Sequence, residues 1–151
     1  MPLTKAQSML LVEDDDNDVF FFERACQKVG MTLPRHRVRD GDEAMHYLGG
    51  VGKYADRQIH PFPGLVLLDL KMPRKDGFEL ISWVRSSPGL RRLPLIVLSS
   101  SKEATDVNRA YDLGANSYLV KPVRFEQLVA VMQQFQLYWL QLAELPLWQL
   151  P

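Results

Sequence analysis

The sequence has one cysteine, Cys26, in 151 residues. A disulfide framework and a cysteine-built zinc site are therefore excluded within one chain, and a reducing, cytoplasmic setting is expected. No run approaches the roughly 18 uninterrupted apolar residues that a membrane-crossing helix needs. The opening "MPLTKAQSMLLVEDD" has too short an apolar stretch for a secretory signal and turns acidic at once. An excess of either charge is also missing. Lys plus Arg number 18 and Asp plus Glu number 18, so no global field draws in nucleic acid or an anionic membrane. The best local basic candidate, Arg35, Arg37 and Arg39, alternates within an expected strand and is a weak basis for DNA contact. Internal repeats and low-complexity segments are absent.

What is present suits a soluble globular chain the size of one domain, expected as a single unit over residues 1–151, with a core at about 8–135 and a C-terminal extension at about 136–151. Short apolar runs alternate with longer amphipathic ones. "MLLVE", "LVLLDL" and "LIVLSS" are apolar on consecutive positions, as strands buried on both faces must be. "HRVRDG" and "SYLVKP" are weaker strand candidates. Helical spacing appears at Phe22, Ala25, Cys26 and Val29; at Ala44, Tyr47 and Leu48; at Phe78, Ile81, Val84 and Arg85; and at Val107, Ala110 and Tyr111. A long fifth helix is expected from Arg124 to Ala143. The alternating order βαβαβαβαβα makes an open, doubly wound parallel sheet with helices on both faces, whose functional crevice lies outside the carboxyl ends of the strands. The Gly- and Pro-rich stretch from Gly49 to Gly64 is longer than an ordinary connection, and is expected as a helix extension plus loop or as a partner-contacting insertion.

The rim rule selects Glu13, Asp14, Asp69, Ser99 and Lys121, the polar residues at the expected strand ends. Hard divalent cations such as Mg²⁺ take oxygen ligands, commonly one or two carboxylates plus waters and phosphate oxygens, and Glu13, Asp14 and Asp69 supply that charge. A carboxylate beside such an ion can also act as a nucleophile toward a phosphoryl group. The run "LLVEDDDND" then divides: Glu13 and Asp14 belong to the metal site, while Asp15, Asp16 and Asp18 open the first helix and offset its dipole. Asp76-Gly77 is expected as a turn and helix start. Cys26 is expected in the core, and His36, His46 and His60, on three segments, make no metal-ligand spacing.

The blocks "LLVEDD", "LLDLKMPRKDGFEL", "PLIVLSSS" and "GANSYLVKP" resemble, in order and spacing, the signature blocks of bacterial two-component receiver domains, over about Met9 to Leu140. The resemblance implies a flavodoxin-like sheet with strand order 2-1-3-4-5 and a response regulator whose Asp69 accepts a phosphoryl group from a sensor histidine kinase. It implies Asp14 as a direct Mg²⁺ ligand, Glu13 acting through water, and the backbone carbonyl of Lys71 completing the set. It assigns Ser99 and Tyr118 to a switch and Lys121 to an ion pair with the phosphoryl group, and it implies a cis Lys121–Pro122 bond. Lys71 and Ser101 are expected to flank Asp69 and to modulate dephosphorylation. No output domain is expected, so signalling goes through protein contact with an unknown downstream partner, and no enzyme activity beyond the chain's own phosphotransfer and dephosphorylation is expected.

A narrower resemblance, in the segment ahead of "FPGLVLLDL" and in "FQLYWLQLAELP", is to the small stand-alone receivers that partner bacterial phytochromes. It implies a phytochrome-type kinase and a homodimer. Phe135, Tyr138, Trp139, Leu142, Leu145, Leu147, Trp148 and Leu150 put eight large apolar groups into sixteen residues, more than one domain needs to close its core. Phe135, Tyr138, Trp139, Leu142 and Trp148 are the interface candidates, with folding back onto the same domain as the alternative. Two other functional classes are possible on such a sheet: an Mg²⁺-dependent aspartyl-nucleophile phosphatase, disfavoured because Lys71 stands where a second acid belongs, and a phosphate-independent pseudo-receiver binding module. Flavin binding is disfavoured by the carboxylates in the first strand-to-helix loop.

Overall fold

Consecutive apolar residues form strands here because helices cover both faces of the sheet. The computed structural model describes residues 3–4, 8–72, 76–146 and 148–149. Strands β1 (Met9–Val12), β2 (Arg35–Val38), β3 (Leu65–Leu68), β4 (Leu95–Ser99) and β5 (Ser117–Val120) make one parallel sheet in the order 2-1-3-4-5. Alternate side chains enter two cores. Leu10, Val12, Val66, Leu68, Leu95 and Val97 meet α2 (Gly41–Gly49), α3 (Gly77–Ser86) and α4 (Ala104–Leu113), while Met9, Leu11, Leu65, Leu67, Ile96 and Leu98 meet α1 (Asp16–Lys28) and α5 (Phe125–Phe135). The expected strands and the doubly wound architecture are all present. Among the described residues no helix is long and apolar enough to cross a membrane.

The loops at the carboxyl ends of β1, β2 and β3 pass into helices through aspartate caps, which satisfy the orphan amides of the first turn. Asp15 Oδ1 accepts from the amides of Asn17 and Asp18, Asp40 Oδ1 from that of Glu43, and Asp76 Oδ1 from that of Glu79. At the opposite end of the sheet a single guanidinium ties several loops together. Arg85 Nε donates to Gly114 O at 2.8 Å, one terminal nitrogen donates to Arg91 O and Leu93 O at 2.9 Å, and the other to Asn116 Oδ1 at 2.8 Å. Arg85 thus acts as a polar anchor rather than as a member of an apolar stripe.

Three expectations take a more specific form. In α4 only Ala110 is fully buried; Tyr111 faces outward, and its hydroxyl accepts from the Tyr118 amide of the edge strand, so this helix is the least embedded of the five. The fifth helix keeps α-helical geometry only to Phe135 and continues as a π-helix over Gln136–Leu142. The Gly49–Gly64 stretch folds onto its own domain: Arg57 donates to Tyr47 O, Leu48 O and His60 O, and the rings of Tyr47, Tyr54 and His60 pack together. His36 also packs beside Tyr47, so two of the three histidines share one aromatic cluster.

The tail divides. Phe135 is 3% exposed in its own core, which removes it from the interface candidates, and Trp139, Leu140 and Leu145 pack partly against that same core. Tyr138 at 55% and Leu142 at 75% exposure face solvent. Residues 3–4 and 148–149 pair antiparallel through their backbones. The side chain of Trp148, with Leu147 and Leu150, lies outside the described residues.

Candidate functional site

The parallel register brings the ends of β1, β3, β4 and β5 to one rim. Oxygens of Glu13, Asp14 and Asp69 lie within 4.8 Å of one another, and Glu13 is buried while Asp14 and Asp69 are partly so. The Glu13 amide donates to Val38 O and the Asp69 amide to Val12 O, each just past its strand, so the sheet ladder fixes where both carboxylates emerge. Leu70 N donates to Asp69 Oδ1 at 2.8 Å, and Asp15 N donates to Glu13 Oε2 at 3.1 Å. Gly77, the first residue of α3, donates to Leu70 O. A Cβ at Gly77 would meet the Asp69 carbonyl and stand 2.8 Å from Leu70 Cα, so only glycine permits this approach. Sequence reasoning left Gly77 as a turn residue because the contact depends on tertiary packing.

Lys121 emerges from β5, its amide donating to Ser99 O at 2.7 Å. Its ammonium donates to Glu13 Oε1 at 2.8 Å and Asp18 Oδ2 at 2.9 Å. The Asp18 contact spans more than a hundred residues and was not visible in the sequence; Asp18 does more here than offset the helix dipole. Asp16 pairs with Arg37 and Arg39, Arg37 Nε donates to Glu13 O, and Arg35 pairs with Glu23. The candidate basic patch is therefore engaged in intrachain contacts, and Arg37 braces the loop that carries Glu13. The Lys121–Pro122 bond is not cis: no cis peptide bond occurs among the described residues. The trans form is the intrinsically favoured one for a prolyl bond.

Ser99 is fully buried, with its Oγ accepting from Ser101 N at 3.3 Å. Tyr118 packs against the first core and donates through its hydroxyl to Ser101 O at 2.9 Å. Lys71, exposed, and Ser101 both reach Asp106 on α4: Ser101 Oγ donates to Asp106 Oδ2 at 2.7 Å, and Lys71 Nζ lies 3.7 Å from the same oxygen.

Burial raises Glu13 to about 7, against the hydrogen bond and charge of Lys121. Burial also raises Asp69, opposed by the Lys121 charge and by the Leu70 and Lys71 amides. Burial alone would lower Lys121, but its bonds to Glu13 and Asp18 and the charge of Asp69 hold it above its ordinary value. A pocket that holds carboxylates together at a cost also favours any cation that relieves their repulsion. The donor set, all oxygen and with no soft ligand, fits a hard divalent ion.

The model of the response regulator receiver domain matches residues 9–133, most of the chain. The chain belongs to this receiver domain family. The receiver is 37% identical over 132 residues to the probable methanogenesis regulatory protein FilR2 of Methanothrix harundinacea, covering 87% of this chain and 83% of that one. It is 34% identical to the response regulator Rcp1 of Synechocystis sp., with 91% and 92% covered. Among solved structures it superposes with TM-score 0.88 on the response regulator RPA3017 in red light signaling of R. palustris (34% identity; 92% and 97% covered). On the phosphorylated cyanobacterial phytochrome response regulator RcpA the score is 0.84 (38% identity; 93% and 99% covered). On the Mn²⁺-bound form of Rcp1 it is 0.80 (34% identity; 93% and 99% covered). The receiver is thus a two-component signalling domain related to phytochrome response regulators.

Proposed function

We propose that this receiver, acting as one unit with its tail, takes a phosphoryl group on Asp69 from a phosphohistidine of a phytochrome-type sensor kinase and signals through protein contact. The convergence of Glu13, Asp14 and Asp69 within 4.8 Å, beside the buried Ser99 and the partly buried Lys121, carries this reading. Asp14 and Asp69 would hold Mg²⁺ directly, Glu13 through water, with the Lys71 carbonyl added. Mg²⁺ bound there supplies positive charge for the transferred phosphoryl oxygens. An Asp69 oxygen attacks phosphorus, the P–N bond to imidazole breaks, and an acyl phosphate forms. Lys121 leaves Asp18 for the new charge, Ser99 turns its hydroxyl toward it, and Tyr118 follows. Intact mass after acetyl phosphate with Mg²⁺ tests this reading; a wild-type chain that gains no phosphoryl group overturns it. Multiple turnover of small phosphate monoesters would favour a phosphatase instead.

The outward residues of the tail, Tyr138 and Leu142, with Trp148 beyond them, are proposed as a homodimer contact; Trp139 supports it from the core side. Since Tyr138 and Leu142 bury little in their own domain, Tyr138→Asp with Leu142→Asp leaves the fold intact and converts the dimer to monomer in sedimentation. A dimer that persists in this variant removes the tail from the interface.

A further inference from the structure

The two side chains assigned to the switch are both held by the main chain of the residue that Asp106 fixes. Ser101 donates its amide to Ser99 Oγ and offers its carbonyl to the Tyr118 hydroxyl. Its own hydroxyl donates to Asp106 Oδ2 at 2.7 Å and accepts from Glu103 N at 3.3 Å. The Asp106 bond is the shorter of the two and ends on a carboxylate, the stronger class of acceptor. Asp106 lies in the first turn of α4, where a negative side chain is favoured and where the N-cap residue, Glu103, makes no side-chain cap bond. Lys71, from the loop after Asp69, approaches the same oxygen at 3.7 Å. One carboxylate thus joins the loops after β3 and β4 to α4, with Tyr118 of β5 tied in through the Ser101 carbonyl.

We infer that Asp106 is a positioning residue of the switch: by fixing the Ser101 side chain it holds the Ser101 main chain between Ser99 and Tyr118, and so opposes the rearrangement that a phosphoryl group on Asp69 drives. This rests on the reading of Asp69 as acceptor. The exposed Lys71 contact contributes little, as exposed ion pairs do; the Ser101 hydroxyl carries the effect. A resting state held by this bond lowers the apparent affinity of any ligand that needs the other state, and loss of the bond raises it by the same factor.

The full chain is titrated with beryllofluoride in Mg²⁺, and the NMR signal of Tyr118 is followed. Asp106→Ala and Ser101→Ala are each expected to lower the half-saturating concentration about three- to tenfold. The double variant gains no more, and the ligand-free Tyr118 signal shifts toward its saturated position. A residue that only props up the site would weaken binding when removed. Wild-type affinity in either variant, weaker binding, additive gains or an unmoved resting Tyr118 signal overturns the inference. Should Asp106→Ala fail to fold, Ser101→Ala alone decides. A wild-type chain that binds no beryllofluoride removes the acceptor reading and this inference with it; binding that is the same in wild type and variants removes only this one.

Discussion

Replacing Asp69 with Asn abolishes the mass gain that acetyl phosphate and Mg²⁺ give the wild-type chain. The variant is nearly isosteric, and its carbonyl oxygen can still accept from Leu70 N, the bond now made by Asp69 Oδ1 at 2.8 Å. What it lacks is a second carboxylate oxygen to attack phosphorus. Loss of folding is not the cause: burial already raises the Asp69 carboxyl, so removing its charge from beside Glu13 and Asp14 relieves repulsion and leaves the thermal midpoint unchanged or higher. A melt recorded beside the mass spectrum separates the two explanations. A full mass gain in Asp69→Asn would place the acceptor on another carboxylate and sink the assignment.

Gly77→Ala slows the same reaction by about 10²-fold, because displacement of a reacting group by about an ångström has effects of that size. Alanine favours a helix over glycine by roughly 0.5–1 kcal/mol, so propensity alone predicts a firmer α3. The new Cβ, however, meets the Asp69 carbonyl and stands 2.8 Å from Leu70 Cα, and both are backbone, which cannot swing aside as a side chain can. Overpacking of this kind costs typically 1–3 kcal/mol and exceeds the propensity gain. Chemical denaturation is therefore expected to show a net loss of about 1–2 kcal/mol, together with the slower phosphorylation. A variant that is more stable and reacts at the wild-type rate would show that α3 does not press on the acceptor loop.

Local patterns carried most of the fold. Runs such as "LVLL" and "LIVL" name their own strands because nothing but burial on both faces tolerates them, and the acidic ends of β1 and β3 follow from where those runs stop. The strand order and the roles of Ser99, Tyr118 and Lys121 came from the family resemblance, since spacing alone does not say which strands are neighbours. What stayed hidden was set by partners distant in sequence. Asp18 looked like a helix-dipole acid until Lys121 met it, Arg35, Arg37 and Arg39 looked like a basic patch until Glu23, Asp16 and the Glu13 carbonyl took them up, and Asp106 drew no notice at all. Tyr111 fell within the helical spacing of α4, but spacing did not show that its hydroxyl serves the Tyr118 amide at the sheet edge. In the tail, composition counted the aromatic groups correctly but could not assign Phe135 inward and Tyr138 outward, because the turn geometry changes just after Phe135.

Arg85 gives α4 a fulcrum. The guanidinium grips Gly114 at the end of α4 away from the rim, while the rim end is held through Asp106 and Ser101. A helix of ten residues is about 15 Å long, so each degree of tilt about Gly114 carries the far end through about 0.26 Å, and four degrees through about 1 Å. Ala110 is the one fully buried residue of that helix, with Leu113 packed partly against the core and Arg109 stacked 4.1 Å from the centre of the Phe78 ring. On the reading of Asp69 as acceptor, a shift of a hydroxyl's width at the rim would need only about four degrees of tilt in α4, with the arm set by the distance between two polar clasps.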